Sequence, residues 1–183
     1  TLGLNNAERE RYFKDTYGED FPYPEFRENY RAEVSRDTEE NGTPVKKGLY
    51  ELLEVLREKR LKLAVATSSS YESAAKLLEE AKVSDYFHAI VTGNMVEHSK
   101  PAPDIYRKAC EALEVAPESA LALEDSYNGI RSAHAAGMKV IMIPDLLTDS
   151  TCVDALLYGK MDSLSEVAEL LLSQVCACTA QTV

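Results

Sequence analysis

From Lys46 to Ile143 the hydrophobic period of the chain alternates between helical and strand spacing, and this constrains the fold more than any other feature. A helical stretch from Gly48 to Lys59, with Leu49, Leu52, Leu53 and Leu56 facing inward, leads into an apolar run at Leu61 to Ala66. The order then repeats. A helix from Tyr71 to Ala81 precedes a strand near Ala89 to Thr92, a helix from Asp104 to Leu113 precedes Ala120 to Leu123, and a helix from Tyr127 to Ala136 precedes Val140 to Ile143. Gly137 is placed to end the last helix in a left-handed cap. Repeated units of this length predict an α/β fold, a doubly wound (Rossmann-like) parallel sheet with helices on both faces. Ser163 to Leu172 reads as a closing amphipathic helix.

The N-terminal stretch has a different character. Asn5 or Asn6 can cap a helix running to about Tyr17, and after Gly18 and the Pro22 to Pro24 turn a second helix, Glu25 to about Asp37, sets Phe26, Tyr30 and Val34 at helical spacing. This predicts a small helical domain over residues 1–43, joined through the Glu39 to Pro44 turn to an α/β domain over residues 44–183. A chain of 183 residues can bury one full core. Its 20 basic against 31 acidic residues, a net charge of -11, argue against nucleic acid or an anionic membrane as partner. A small, metal-chelated phosphate ester remains compatible with that charge. No apolar run approaches the roughly 18 residues needed to span a bilayer, so a soluble, cytoplasmic monomer is expected. Cys110 and Cys152 read as buried thiols and Cys176-Ala-Cys178 as part of a loose tail. His88, His98 and His134 lack metal-ligand spacing.

Three strand ends carry residues suited to chemistry. Ala120 to Leu123 ends at Glu124 and Asp125, in the place where open α/β sheets bind ligands. Paired carboxylates there suit a hard cation such as Mg²⁺, although Asp125 or Ser126 could equally be a simple helix cap, and this stretch alone leaves both readings open. Leu61 to Ala66 ends at Thr67-Ser68-Ser69-Ser70, whose hydroxyls and helix-terminal N–H groups can take an anion. Ser69 with Glu72 has the spacing of a capping box. Lys100 sits in Lys100-Pro101-Ala102-Pro103-Asp104, where two prolines restrict the backbone around what would otherwise be an ordinary solvated lysine.

Taken together, Ala-Thr-Ser-Ser at 66–69, Ser-Lys-Pro-Ala-Pro-Asp-Ile-Tyr at 99–106 and Leu-Glu-Asp-Ser at 123–126, with Gly129 and Ala-Ala-Gly-Met at 135–138, resemble the haloacid dehalogenase superfamily. The resemblance is to its β-phosphoglucomutase-like phosphatases with a helical cap, and it covers Pro44 to about Leu172. It implies that Thr67 and Ser68 bind the transferring phosphoryl, that Lys100 neutralises charge on it and on the nucleophile, and that Glu124 with Asp125 holds Mg²⁺ directly or through water. The helices before Pro44 resemble the later part of that family's cap. Asn6 then stands where the sugar-phosphate mutases carry an arginine, which favours a phosphatase acting on a small phosphorylated metabolite.

One departure matters. The family's nucleophile and general acid are two aspartates at the end of a first core strand, and Asp15, Asp20 and Asp37 have no apolar strand leading into them. By resemblance that strand lies between the ones ending at Thr67 and Glu124. An empty place there would leave buried backbone groups unpaired at about 1–3 kcal/mol each. Roughly 40 to 60 further N-terminal residues, the length of a βα unit and the start of a cap, or another segment in that place, are therefore expected. The chain as given is expected to be inactive. The rival readings are a phosphomutase and a non-catalytic phosphate-binding or regulatory domain. A phospho-receiver domain is disfavoured because its acidic pair comes first in the chain.

Overall fold

The computed structural model of the protein describes Leu4 and residues 6–179, with side chains as far as Ser173. The proposed cap Asn5 lies outside the described residues. Helix α1 (Asn6–Tyr17) and helix α2 (Tyr23–Asn41) form a hairpin closed by aromatic rings. The Phe13 ring lies 4.8 Å from that of Phe26 and 5.2 Å from that of Phe21. Helix α2 is longer than its sequence pattern suggested. Pro24 fits its first turn, where a missing N–H costs nothing, and the helix runs through Glu39 to Gly42, whose φ of +80° ends it.

The α/β part follows the predicted order: α3 (Leu49–Glu58), β1 (Ala64–Thr67), α4 (Tyr71–Glu80), β2 (Ala89–Thr92), α5 (Asp104–Leu113), β3 (Leu121–Glu124), α6 (Tyr127–Ala135) and β4 (Lys139–Met142). Two elements follow, β5 (Gly159–Lys160) and α7 (Leu164–Thr179). Strand β1 starts later than expected because the exit from α3 consumes the residues before it. Arg60 turns left-handed at φ 54° and the Leu61 N–H bonds back to the Leu56 carbonyl at 3.0 Å. Helix α7 extends past the expected Leu172, so the backbone at Cys176 and Cys178 is helical and not a loose tail. Cys110 is buried as expected, whereas Cys152 is exposed, because it lies in a turn whose inward position is taken by Val153.

All strand pairs are parallel, but they form two groups, β1–β2 and β3–β4–β5. No described strand pairs with the outer edge of β1 or of β3, so the expectation that another segment fills that place is not met among the described residues. One apolar core nevertheless runs under both groups, joining Val91 of β2, Ile105 and Ala109 of α5, Ala122 of β3, Ile130 of α6 and Val140 of β4. On the opposite face α3 and α7 pack on β4 through Leu52, Val55, Val167 and Ile141. Among the described residues no helix is long and apolar enough to cross a membrane.

The docking of α7 depends on Gly48. Its φ is +85°, and a Cβ there would lie 2.2 Å from the Ser165 backbone nitrogen. The next bond along, from the Leu164 N–H to the Lys47 carbonyl at 3.0 Å, ties the two segments together. Gly48→Ala therefore combines left-handed strain with a backbone clash and is expected to cost about 2–4 kcal/mol in urea unfolding. A loss within a few tenths would show that α7 is not held at this point.

Candidate active site

The carboxyl ends of β1 and β3 meet at one side chain. The Lys100 ammonium, on the loop between β2 and α5, donates to the Ala66 carbonyl at 3.1 Å and to Glu124 Oε1 at 2.6 Å. Strand parity explains the first contact. The Leu63 carbonyl accepts from His88 N–H beside β2, so the Ala66 carbonyl, an odd number of residues on, points to the opposite edge. Lys100 is only 6% exposed, which makes it no ordinary surface lysine.

The loop that carries Lys100 is pinned on both sides. His98 Nδ1 meets Asp104 Oδ2 at 2.9 Å and the His98 N–H donates to the same oxygen. The hydroxyl of the fully buried Ser132, on α6, donates to the Ala102 carbonyl at 2.5 Å. The hydrogen bond and charge of Asp104 hold the His98 imidazole above its ordinary value.

Glu124 is 8% exposed and every part of its carboxylate is engaged. Oε1 accepts from Lys100 and from the buried Tyr106 hydroxyl. Oε2 accepts from the Asp125 N–H, the Ser126 N–H and the Ser126 hydroxyl. Burial pushes this carboxyl up, but the charge and hydrogen bond of Lys100, with Tyr106 and Ser126 behind them, outweigh burial and leave it below the usual glutamate value. The carboxylate also lies flat against the first turn of α6. A Cβ on Gly129 would sit 2.1 Å from its Cδ and both oxygens, which explains a glycine at this point of the helix.

Asp125 differs from its neighbour. It is half-buried and in no ion pair among the described residues, and its carboxyl is raised, first by burial and then by the charge of Glu124, against a lowering by Lys46. Ser126 takes the capping role, accepting from the Gly129 N–H at 3.1 Å, so Asp125 is not needed for it. A partly desolvated carboxylate beside a second, occupied one suits a hard cation that keeps most of its ligands as water and phosphate. Among the described residues no group of three acidic, histidine or cysteine side chains forms a fuller cage.

Thr67 ends β1 immediately after Ala66, and its hydroxyl accepts from the Ser69 N–H at 3.1 Å. Because the Ser69 N–H is used there, the cap of α4 moves one residue on. Ser70, not Ser69, accepts from the Ser73 N–H. Ser68 lies in the turn between, its backbone beside Gly93. Thr67, Ser68, Lys100, Glu124 and Asp125 therefore gather at the carboxyl edge, with Lys100 and Glu124 in direct contact. Sequence reasoning left Tyr106 without a role. Its only signal was the tyrosine six residues after Lys100, on the buried face of α5.

The buried pair predicts its own energetics. Lys100→Met leaves Glu124 buried without its counter-charge and is expected to cost about 3–5 kcal/mol, most of which a second change, Glu124→Gln, restores. Simple addition of two losses in urea unfolding would contradict the coupling. The sign of the pH dependence follows from the lowered carboxyl. Its contribution is present above the unfolded glutamate value, about 4.3, and is lost as pH falls through the lower folded value. Urea midpoints of the wild type, taken downward from about pH 6, should fall more steeply than those of Glu124→Gln.

Residues 1–143 match the profile of the haloacid dehalogenase-like hydrolases. Among curated relatives, protein CbbY of Cereibacter sphaeroides is 34% identical over 144 residues, covering 75% of this chain and 62% of the relative. The phosphorylated carbohydrates phosphatase of Thermotoga maritima is 35% identical over 124 residues, 68% of this chain and 50% of the relative. The chain thus spans between half and two thirds of the length of these two relatives. The crystal structure of CbbY from Rhodobacter sphaeroides in complex with phosphate superposes with a TM-score of 0.76 at 29% identity, covering 89% of this chain and 75% of that one.

Proposed function

The chain belongs to the haloacid dehalogenase-like hydrolases, and from that premise we propose that it serves a Mg²⁺-dependent phosphatase acting on small phosphorylated carbohydrates. The observation that carries the reading is the Lys100 ammonium, held between the ends of β1 and β3 with the Asp125 carboxylate next to its partner Glu124. Phosphoryl transfer needs mainly positioning and charge stabilisation, and a buried ammonium at the floor of the sheet edge supplies both. The name of the Thermotoga maritima relative supports the substrate class, and the phosphate in the related crystal structure of CbbY supports phosphoryl chemistry.

In this reading Lys100 faces the phosphoryl oxygens and the attacking carboxylate. The Thr67 hydroxyl and the turn at Ser68 orient the phosphoryl group from the β1 side. Asp125 would hold the cation, while Glu124, whose oxygens are already taken, directs Lys100 and would add its negative charge beside the cation. Mg²⁺, when bound, adds positive charge beside the transferring group. The attacking aspartate belongs to a strand seated between β1 and β3. Its carboxylate oxygen bonds to phosphorus as the ester P–O bond breaks and the leaving oxygen takes a proton from the second aspartate of that strand. Water, giving a proton back to that second aspartate, then releases phosphate from the acyl phosphate. Asn6 favours hydrolysis over isomerisation, because its neutral side chain is occupied by the Tyr23 hydroxyl at 3.2 Å and offers no cation to a second phosphate.

The test is an assay of a form in which that strand is present, with phosphorylated carbohydrates and Mg²⁺. Release of inorganic phosphate is expected, and an isomerised sugar phosphate would point to a mutase instead. Asp125→Ala should lower turnover by a factor of about 10² or more while leaving the fold intact. Undiminished turnover in that variant would remove Asp125 from the cation site.

A further inference from the structure

The Lys100 ammonium has three N–H donors, and the structure gives it three acceptors. They are the Ala66 carbonyl at 3.1 Å, Glu124 Oε1 at 2.6 Å and the Tyr106 hydroxyl oxygen at 3.5 Å. The ammonium also sits 4.9 Å from the centre of the Tyr106 ring. With all three donors engaged, a phosphoryl oxygen can bond to Lys100 only if one of these partners yields.

The three are unequal. The Glu124 contact is short, charge-assisted and buried, so it is the most costly to break. The Ala66 carbonyl belongs to the fixed backbone of β1. The Tyr106 contact is the longest, and the tyrosine's own proton is already committed to Glu124 Oε1. Losing Lys100 would leave the hydroxyl still bonded through its proton, so no buried polar group would be orphaned. Tyr106 itself cannot move away, since it is 6% exposed and belongs to the core shared by α5 and α6.

We propose that Tyr106 is a positioning residue that keeps the third N–H of Lys100 parked on its hydroxyl and yields it to a phosphoryl oxygen. This rests on the reading of Lys100 as the phosphoryl-facing cation. Tyr106 fixes the ammonium in place through its ring face and its hold on Glu124, and the long hydroxyl contact is the part that gives way. No bond to Glu124 is broken and no proton is transferred.

Tyr106→Phe separates this role from a merely structural one, because it keeps the ring beneath the ammonium and removes the competing acceptor, while Glu124 Oε1, which loses the tyrosine O–H, keeps its bond from Lys100. Calorimetric titration of the chain with inorganic phosphate is the measurement. The wild type should bind saturably, Lys100→Met should not, and Tyr106→Phe should bind about fivefold more tightly, the size of one weak hydrogen bond. A purely structural tyrosine gives equal or weaker binding in Tyr106→Phe, and that result would overturn the proposal while leaving Lys100 in its role. No binding by the wild type, or unchanged binding by Lys100→Met, overturns the reading of Lys100 and the proposal with it. A second measurement needs no variant at Tyr106. In protein labelled at tyrosine ¹³Cζ, the Tyr106 resonance should shift with phosphate occupancy, and a resonance unmoved at saturation would contradict the release of its hydroxyl.

Discussion

The Lys100–Glu124 pair is the interaction on which the rest of the site depends. Two opposite charges below 10% exposure are expensive to desolvate, and their mutual attraction offsets that cost only where each finds further hydrogen bonds. Here both do. Glu124 gains Tyr106, the Asp125 N–H and Ser126, while Lys100 gains the Ala66 carbonyl. These partners lie on α5, on the turn between β3 and α6, and on β1, so the pair fixes the ends of β1 and β3 and the starts of α5 and α6 relative to one another. Gly129 belongs to the same arrangement, since any side chain at that position would occupy the space of the carboxylate.

The adjacent carboxylates take opposite directions for a reason the sequence does not print. Glu124 and Asp125 are chemically similar and consecutive, yet strand alternation turns one inward to a cation and leaves the other at the rim without one. The inward carboxylate is spent on architecture. The rim carboxylate is left raised by burial and by its neighbour's charge, a state that a bound divalent cation would relieve.

Long periodic segments were legible in the sequence, and short or cap-defined features were not. Helices α3 to α6 fall within a residue or two of their predicted bounds because each carries an apolar stripe closed by turn residues. Strand β5 is two residues, Gly159 and Lys160, with no pattern to read, and the extension of α2 over Glu39 to Asn41 runs against a turn-like composition. The five proposed site residues were readable as motifs, but the burial of Lys100 was not. Nothing in Lys-Pro-Ala-Pro distinguishes a solvated lysine from one tucked beneath two strand ends. Tyr106 escaped for a related reason: a tyrosine on the inner face of a helix reads as core until its hydroxyl is seen to have a charged partner.

The split of the sheet bears on how an open edge can coexist with an ordered core. Every residue of β1 is partly exposed, whereas Val140, Ile141 and Met142 of β4, flanked on both sides, are fully buried. Unpaired backbone groups on β1 are thus within reach of water, so the penalty expected for buried orphan groups does not apply to them in full. The cost shifts to apolar surface, seen in Leu121 at 38% exposure at the start of β3. A parallel strand entering between β1 and β3 would cover that surface and pair the waiting edges. Nor would it have to displace Lys100, because the Ala66 carbonyl has a second lone pair with which to accept a ladder hydrogen bond. The ammonium at the end of the gap is therefore compatible with both the open and the filled edge, and in the filled one it would stand directly beside the carboxyl end of the incoming strand.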